Sequence, residues 1–398
     1  MHKDIRVLGN DQFDESMELA KFAFQMEPTP EALVRNRERY AQEPAKRFGI
    51  YVDGQLGAQL TLLELETYIG GKRFAMAGVA GVSTWPEYRR QGLVSELLRH
   101  SLQSMREQGQ TLSYLAPFAI GFYRKFGWEI YTDNKNYKIE ASLMPSRTPY
   151  EGRIERQNDN YQLVSRIYDT YAQRYNGTLV RTELWWNYRI KQRKPGQAAV
   201  YYGSDDKAQG YVLYQVKNRE MKIYELIALT EEARQALWSY LAQHDSMIDR
   251  AEITVPTDDI LAYLLNNPRI KQEVEPYFMA RIVDAEAFMS EYPFQTNLSH
   301  PATVLVEIMD EHAPWNTGLY ELDFSADGEA AVKRLQEDST TNERQRMITD
   351  IGSLTAMMLG YRRPIEMLHY GRIQGDEQTI AAFDARLPIR TTFLPDFF

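Results

Sequence analysis

The run Val79-Ala80-Gly81-Val82-Ser83-Thr84 is small and apolar, and it leads through Trp85-Pro86-Glu87-Tyr88 into a basic bend, Arg89-Arg90-Gln91-Gly92. From Leu93 to Gln108 the apolar positions Leu93, Val94, Leu97, Leu98, Leu102 and Met105 recur at helical spacing, and Gly109 stops the run. A strand, a basic bend and a helix in that order constrain the fold more than any other stretch. The first N–H groups of a helix have no partner inside it, and the helix dipole adds partial positive charge there. Gly92 lets the backbone approach an anion closely, and Arg89 and Arg90 add charge, so the pattern suits a pyrophosphate. Taken alone, the same residues also describe an ordinary solvated loop, because short Gly/Arg patterns recur by chance.

Around this stretch the chain alternates helix and strand. Helices are expected at Asp14 to Phe24 and from Pro30 through Tyr40. Strands are expected at Phe48 to Val52, Gln55 to Tyr68 and Phe74 to Thr84, joined by turns at Asp53-Gly54 and Gly70-Gly71. Leu112 to Ala116 reads as a strand broken by Pro117, Gly121 to Phe126 as a short helix, and Trp128 to Ile139 as a strand. Pro and polar residues cluster at Leu143 to Pro149, which marks a boundary. A second α/β segment then runs to about Val283, with helices near Tyr161 to Tyr175, Thr182 to Arg193 and Glu231 to His244. Its strands are expected at Ala198 to Tyr202, Gly210 to Val216, Lys222 to Ala228 and Ala251 to Val255. A third segment carries strands near Ala302 to Met309 and Gly318 to Phe324, then helices near Asp350 to Met358 and Asp376 to Phe383.

Composition narrows the function classes. The 46 Lys and Arg against 55 Asp and Glu give a formal charge of −9, which disfavours nucleic acid and anionic membranes and favours a cationic small molecule. Cysteine is absent, which excludes disulfides, thiolate nucleophiles and Cys-bound metals. The six histidines are scattered without metal-ligand spacing, so no metal is expected. The start lacks an apolar run of signal-peptide length, and no stretch is long and apolar enough for a membrane span, so the expected location is cytoplasmic.

A second pattern lies one helix and one strand downstream, at Gly121-Phe122-Tyr123-Arg124-Lys125-Phe126-Gly127-Trp128. With Arg89-Arg90-Gln91-Gly92-Leu93-Val94, which matches a Q/R-x-x-G-x-G/A motif, it resembles the GNAT family of acyl-coenzyme A-dependent N-acetyltransferases. Val94 stands where Gly or Ala is usual. The length, the three segments, the order of the two motifs and the aromatic C-terminus are similar to the Eis (enhanced intracellular survival) acetyltransferases. That resemblance implies an α/β chain of two tandem GNAT-like domains and a sterol-carrier-protein-like domain. The divisions are expected at residues 1–145, 146–283 and 284–398, with Met279-Ala280-Arg281-Ile282-Val283-Asp284 leading into the third. The second domain is expected to be a degenerate copy, because no apolar strand precedes Gln192-Arg193-Lys194-Pro195-Gly196.

The resemblance further implies direct acetyl transfer from acetyl-coenzyme A to an amine, with no metal. Backbone groups of Val82, Ser83 and Thr84 would line the acetyl and pantetheine arm. Arg89, Arg90, Gln91, Gly92, Leu93, Val94 and Ser95 would hold the pyrophosphate, and Phe118 and Ala119 would border the pantetheine. Tyr123 would protonate the leaving thiolate, since a phenol titrates near ~10 and a thiol near ~8.5. The α-carboxylate of Phe398 would be the general base, its ordinary value of ~3.5 raised by burial of the apolar tail. Phe24, Glu27 and Tyr40 would flank the acceptor cleft and Asp396 would lie close to the base. A carboxylate-rich, aromatic cleft would attract aminoglycoside, polyamine or lysine-type amines. The family also implies a homohexamer, a trimer of dimers. The alternative reading is a non-catalytic acyl-coenzyme A or lipid-binding sensor or scaffold.

Overall fold

The computed structural model describes residues 2–157, 161–295, 302–324, 330–336 and 345–398. Two tight turns organise the first domain. Asp53 and Gly54 take φ of 49° and 88° between the strands Ala45–Val52 and Gln55–Ile69, and Gly70 and Gly71 take 59° and 80° before Lys72–Thr84. Positive φ at both central residues is the turn geometry whose twist matches that of paired strands. The helix Leu93–Glu107 then buries Leu93, Leu97, Leu98, Leu102 and Met105 on the sheet. The strand Leu112–Leu115, the short helix Ile120–Arg124 and the strand Glu129–Glu140 complete this part.

One twelve-stranded sheet carries both the first and the second domain. Its order is Lys3–Val7, Ala45–Val52, Gln55–Ile69, Lys72–Thr84, Leu112–Leu115, Lys271–Ile282, Glu129–Glu140, Arg250–Val255, Glu220–Ala228, Ala208–Lys217, Gln197–Tyr202 and Arg153–Gln157. Lys271–Ile282, the last strand of the second segment, inserts between two strands of the first, antiparallel to Leu112–Leu115 and to Glu129–Glu140. A division at residue 283 therefore orders the sequence, whereas in space this strand serves both domains. Sequence patterning missed it because it begins Lys271-Gln272-Glu273 and carries Pro276, which falls at a register shift where the ladder donor is dispensable. The edge strands Lys3–Val7 and Arg153–Gln157 were missed for a related reason: both are short and largely charged, with two apolar residues in the first and one in the second.

The third domain is a five-stranded sheet in the order Ala330–Arg334, Gly318–Phe324, Ala302–Met309, Arg346–Asp350 and Gln374–Gly375. Its helix Ile351–Leu359 is buried at every residue, as expected of a helix apolar all round. It packs on Ala302–Met309 and Arg346–Asp350 on one side and on Lys271–Ile282 and Glu129–Glu140 on the other. Met76, Phe278 and Val306, one residue from each segment, belong to one continuous core. Arg281, fully buried, donates to Asp310 at 2.6 Å and to the carbonyl of Phe126, so it ties the third domain to the Tyr123 segment.

Candidate active site

Lys72–Thr84 and Leu112–Leu115 are parallel neighbours for only four pairs, from Met76 with Leu112 to Val79 with Leu115. Beyond Val79 the first strand stays paired to Gln55–Ile69 on its other edge, with a register shift at Gly81, whose φ is +62°. The second strand ends before Pro117, and the two part. The edge of Ala80 to Thr84 that faces the gap thus has no strand partner, leaving peptide groups for an extended ligand. Val82 and Thr84 are half-buried there, while Ser83 is buried and donates its hydroxyl to the carbonyl of Gly81 at 3.2 Å.

At the far end of this strand the basic bend opens the fifteen-residue helix Leu93–Glu107. Arg90 and Gly92 take φ of 61° and 81°. The backbone N–H groups of Arg90 to Ser95 make no hydrogen bond among the described residues. A Cβ on Gly92 would meet nothing within 4 Å, so it is the left-handed backbone rather than crowding that calls for glycine here. The Gln91 side chain donates to the carbonyl of Glu87 at 2.8 Å, and Lys3 donates to that of Gln91 at 3.3 Å, which pins the bend. Arg89, Arg90 and Gln91 are exposed, Leu93 is buried, and Val94 and Ser95 are half-buried. Unpaired N–H groups at a helix start, with guanidinium groups alongside and open space in front, fit a pyrophosphate.

Tyr123 stands in the same gap, on the helix Ile120–Arg124, and is 2 % exposed. Its ring meets those of Phe118, Phe122 and Trp128 at 5.1, 5.2 and 6.4 Å and shares a core with Val79, Leu93 and Leu115. Its hydroxyl has no hydrogen-bond partner among the described residues, yet it is not one of the fully enclosed polar atoms. Burial pushes the phenol pKa up. Phe118 itself is 69 % exposed, and Ala119 is the N-terminal flank of the Tyr123 helix.

The C-terminal tail approaches this gap from the other side. The ring of Phe398 lies on Gly78, three residues before the bulge, where a Cβ would stand 2.7 Å from its Cε2 atom. Phe278 and Trp185 flank the ring at 5.0 and 6.1 Å. The tail is held by the second domain. Asp396 accepts from Trp185 Nε1 at 2.8 Å and from Arg181 Nε at 3.1 Å, Lys194 donates to the carbonyl of Pro395 at 2.7 Å, and Tyr277 to that of Asp396 at 2.8 Å. Arg181 and Lys194 also pair with buried Glu225, which Tyr211 bonds at 2.6 Å. Burial pushes the Glu225 carboxyl up, and the two cations more than reverse this, holding it at about 2.

Several expected acceptor contacts have other duties. Asp396 is 2 % exposed and committed to Arg181 and Trp185, so its carboxylate anchors the tail rather than facing a substrate. Tyr40 is packed between helices, its ring edge-on to Phe13 at 5.2 Å with the Arg47 guanidinium 3.8 Å above it. Phe24, the last residue of the helix Phe13–Phe24, and Glu27, three residues beyond it, are exposed, and no contact of either with Tyr123 or Phe398 is found among the described residues. That helix meets the end of Lys72–Thr84 through Phe22, 4.9 Å from Trp85. Nor are carboxylates what surrounds the tail: Arg193 lies 4.6 Å over the Phe397 ring and Arg189 5.4 Å over that of Trp185. Sequence reading passed over Gly78, Arg181 and Trp185, because their partners in the tail are more than 200 residues away; a glycine inside an apolar strand was the available signal for the first.

The second domain repeats the parting of two parallel strands, Glu220–Ala228 and Arg250–Val255, paired only as far as Ile223 with Ile253. A cavity of about 300 Å³ lies between their ends, lined by Tyr171, Tyr175, Trp238 and Asp258. Here the helix Glu231–Leu241 is capped by its own Thr230, which accepts from the N–H of Ala233 at 3.2 Å, and Glu231 and Glu232 fill its first turn. No glycine bend or arginine precedes it. The basic Gln192 to Gly196 stretch, which was expected to have no apolar strand leading into it, begins within the helix Lys191–Arg193 and lies before the strand Gln197–Tyr202.

Comparison with known proteins gives three domain matches in order: an acetyltransferase (GNAT) domain at residues 4–131, a second acetyltransferase (GNAT) domain at 177–282, and a sterol carrier protein domain at 285–395. The chain is 30 % identical to a solved structure from Enterococcus faecalis V583, a probable N-acyltransferase, covering 100 % of both chains with a TM-score of 0.93. It is 25 % identical to an uncharacterized N-acetyltransferase of Streptomyces griseus over 100 % of both chains. It is also 23 % identical to N-acetyltransferase Eis of Mycobacterium tuberculosis over 80 % of each.

Proposed function

The chain belongs to the Eis-like family of GNAT N-acetyltransferases, and from that premise we propose that it transfers the acetyl group of acetyl-coenzyme A directly to an amine at the gap beside Tyr123. One observation carries this reading: the unpartnered strand edge at Ala80 to Thr84, the six N–H groups of Arg90 to Ser95 and the Tyr123 hydroxyl, the last two without partners among the described residues, are gathered around one core of Val79, Leu93, Leu115 and Tyr123.

The cosubstrate supplies an acetyl group activated as a thioester. Arg90 to Ser95 bind its pyrophosphate, with Arg89 adding charge, and Phe118 with Ala119 covers the pantetheine from the second strand's side. The peptide groups of Val82, Ser83 and Thr84 hold the arm and supply N–H donors toward the carbonyl oxygen that gains negative charge as the amine attacks. Tyr123 keeps its proton in a buried, apolar setting and gives it to the sulfur as the C–S bond breaks. The carboxylate of Phe398 takes the proton lost by the amine as the C–N bond forms. Its position is supported by the seat of the Phe398 ring on Gly78 and by the anchoring of Asp396. Family membership supports an aminoglycoside, polyamine or lysine-type acceptor, a homohexameric trimer of dimers and a cytoplasmic location. No helix among the described residues is long and apolar enough to cross a membrane.

The test mixes protein, acetyl-coenzyme A and a panel of amines and follows thiol release, with calorimetry for cosubstrate binding. Release with at least one amine is expected. Neither release nor binding would refute the proposal. Binding without release would instead support the sensor reading.

A further inference from the structure

Four arginines, Arg39, Arg47, Arg189 and Arg193, lie within electrostatic reach of one another, and one of them, Arg193, touches the tail at Phe397. Arg39 and Glu43 are one helical turn apart at the end of the helix Pro30–Gln42, and Arg189 and Arg193 are one turn apart in the segment Glu183–Arg193, which contains a π-helical turn. Glu43 accepts from two nitrogens of Arg189 at 2.8 and 2.9 Å, and Gln42 accepts from Tyr188 at 2.9 Å. These bonds join the two helix ends and bring Arg39 within electrostatic reach of Arg189 and Arg193. Arg193 covers Phe397, and Arg189 covers Trp185, which in turn meets the Phe398 ring. Arg47 completes the group over Tyr40.

Among the described residues Glu43 is the one carboxylate that pairs with any of the four; Arg39, Arg47 and Arg193 form no ion pair. Burial and then the neighbouring Arg189 push Arg39 down to about 10, and burial lowers Arg47 and Arg193 as well. A chain with a net charge of −9 thus keeps a cationic cluster beside its tail in which Glu43 is the one ion-paired counter-charge among the described residues and Asp396 a more distant one for Arg193. Such a cluster repels a polyamine and attracts an anion.

We propose that Arg39 and Arg193 are the anion-binding half of the acceptor site, so that the preferred acceptor is a compact amine bearing a carboxylate or phosphate group. This rests on the reading of Phe398 as the group that receives the amine proton.

Thiol release is to be compared for matched amines that differ in the acid group: lysine against cadaverine, and O-phosphoethanolamine against ethanolamine, with spermidine as a polycation. The acid-bearing member of at least one pair should be favoured in kcat/KM by roughly tenfold or more, the worth of one charge-assisted hydrogen bond, and added salt should erode the preference. Which pair responds separates carboxylate from phosphate. The double variant Arg39→Gln with Arg193→Gln should abolish the preference through KM of the acid-bearing amine, and the corresponding pair of Lys substitutions should restore part of it. Equal or better use of cadaverine, ethanolamine and spermidine overturns the proposal. So does an equal loss on both members of each pair in the Gln variant, which would make the arginines positioning residues for the tail. Failure to release thiol with any amine sinks the acetyl-transfer reading itself, a result distinct from turnover without preference.

Discussion

Gly78→Ala adds one methyl carbon against the ring that carries the proposed base. Built on the strand, it would stand 2.7 Å from Cε2 and 3.1 Å from Cδ2 of Phe398, and 3.0 Å from Cδ1 of Leu65. Carbon atoms settle at about 3.7 Å, so the ring has to withdraw by roughly 1 Å. The movement falls on Phe398 itself, because Asp396 two residues earlier is fixed by Arg181 and Trp185. Overpacking of this kind costs about 1–3 kcal/mol, which thermal unfolding will read as a lower Tm. A catalytic group misplaced by about 1 Å loses on the order of 100-fold in rate. Initial rates of thiol release should therefore fall about 100-fold, while calorimetry finds acetyl-coenzyme A binding unchanged, because the donors at Arg90 to Ser95 are untouched. Adding Phe398→Leu, which lacks the colliding Cε2 atom, should restore part of the rate. A lowered Tm with undiminished kcat/KM would show that the contact is real but that the tail carboxylate plays no part in the chemistry.

Tyr123→Phe should lower kcat by about 10²–10⁴-fold with acetyl-coenzyme A affinity retained, and an unchanged kcat would remove Tyr123 as the acid. Because burial raises the phenol pKa, the wild-type kcat profile should show no fall assignable to this group below pH ~10, whereas a Tyr-dependent decline near pH 8–9 would contradict its environment. Glu225, held at about 2 against an ordinary 4.5, adds stability that is complete above pH 4.5 and is lost as pH falls toward 2. The loss should reach about 3 kcal/mol, so urea midpoints should drop between pH 5 and pH 3 and Glu225→Gln should flatten that slope; parallel slopes would refute the assignment. The capped, acidic start of Glu231–Leu241 predicts one acetyl-coenzyme A per chain by calorimetry, and a stoichiometry of two would show that the second domain also binds it.

The reading of the two motifs as parts of one opening came from order and spacing along the chain. Arg89 to Ser95 and Tyr123 lie within 35 residues of each other, and their local patterns (a glycine bend before an amphipathic stripe, an aromatic turn after a broken strand) reflect backbone preferences that neighbouring residues impose. The second domain shows the limit of that approach. Its parting strands are legible as strands at Lys222 to Ala228 and Ala251 to Val255, yet the degeneracy of the domain is read from the basic Gln192 to Gly196 stretch, whereas the helix that follows the parting strand is Glu231–Leu241. Short charged motifs carry no address without the strand pairing that places them.

Local periodicity and turn chemistry thus determined the elements, the α/β character and the candidate cosubstrate cradle, because each depends on residues a few positions apart. Tertiary structure alone decided that Lys271–Ile282 is stitched between strands of the first domain, that Gly78 seats Phe398, that Asp396 is spent on Arg181, and that arginines rather than carboxylates gather around the tail. Those features join residues as much as 320 positions apart, and packing and charge pairing across such separations leave no periodic trace in the chain.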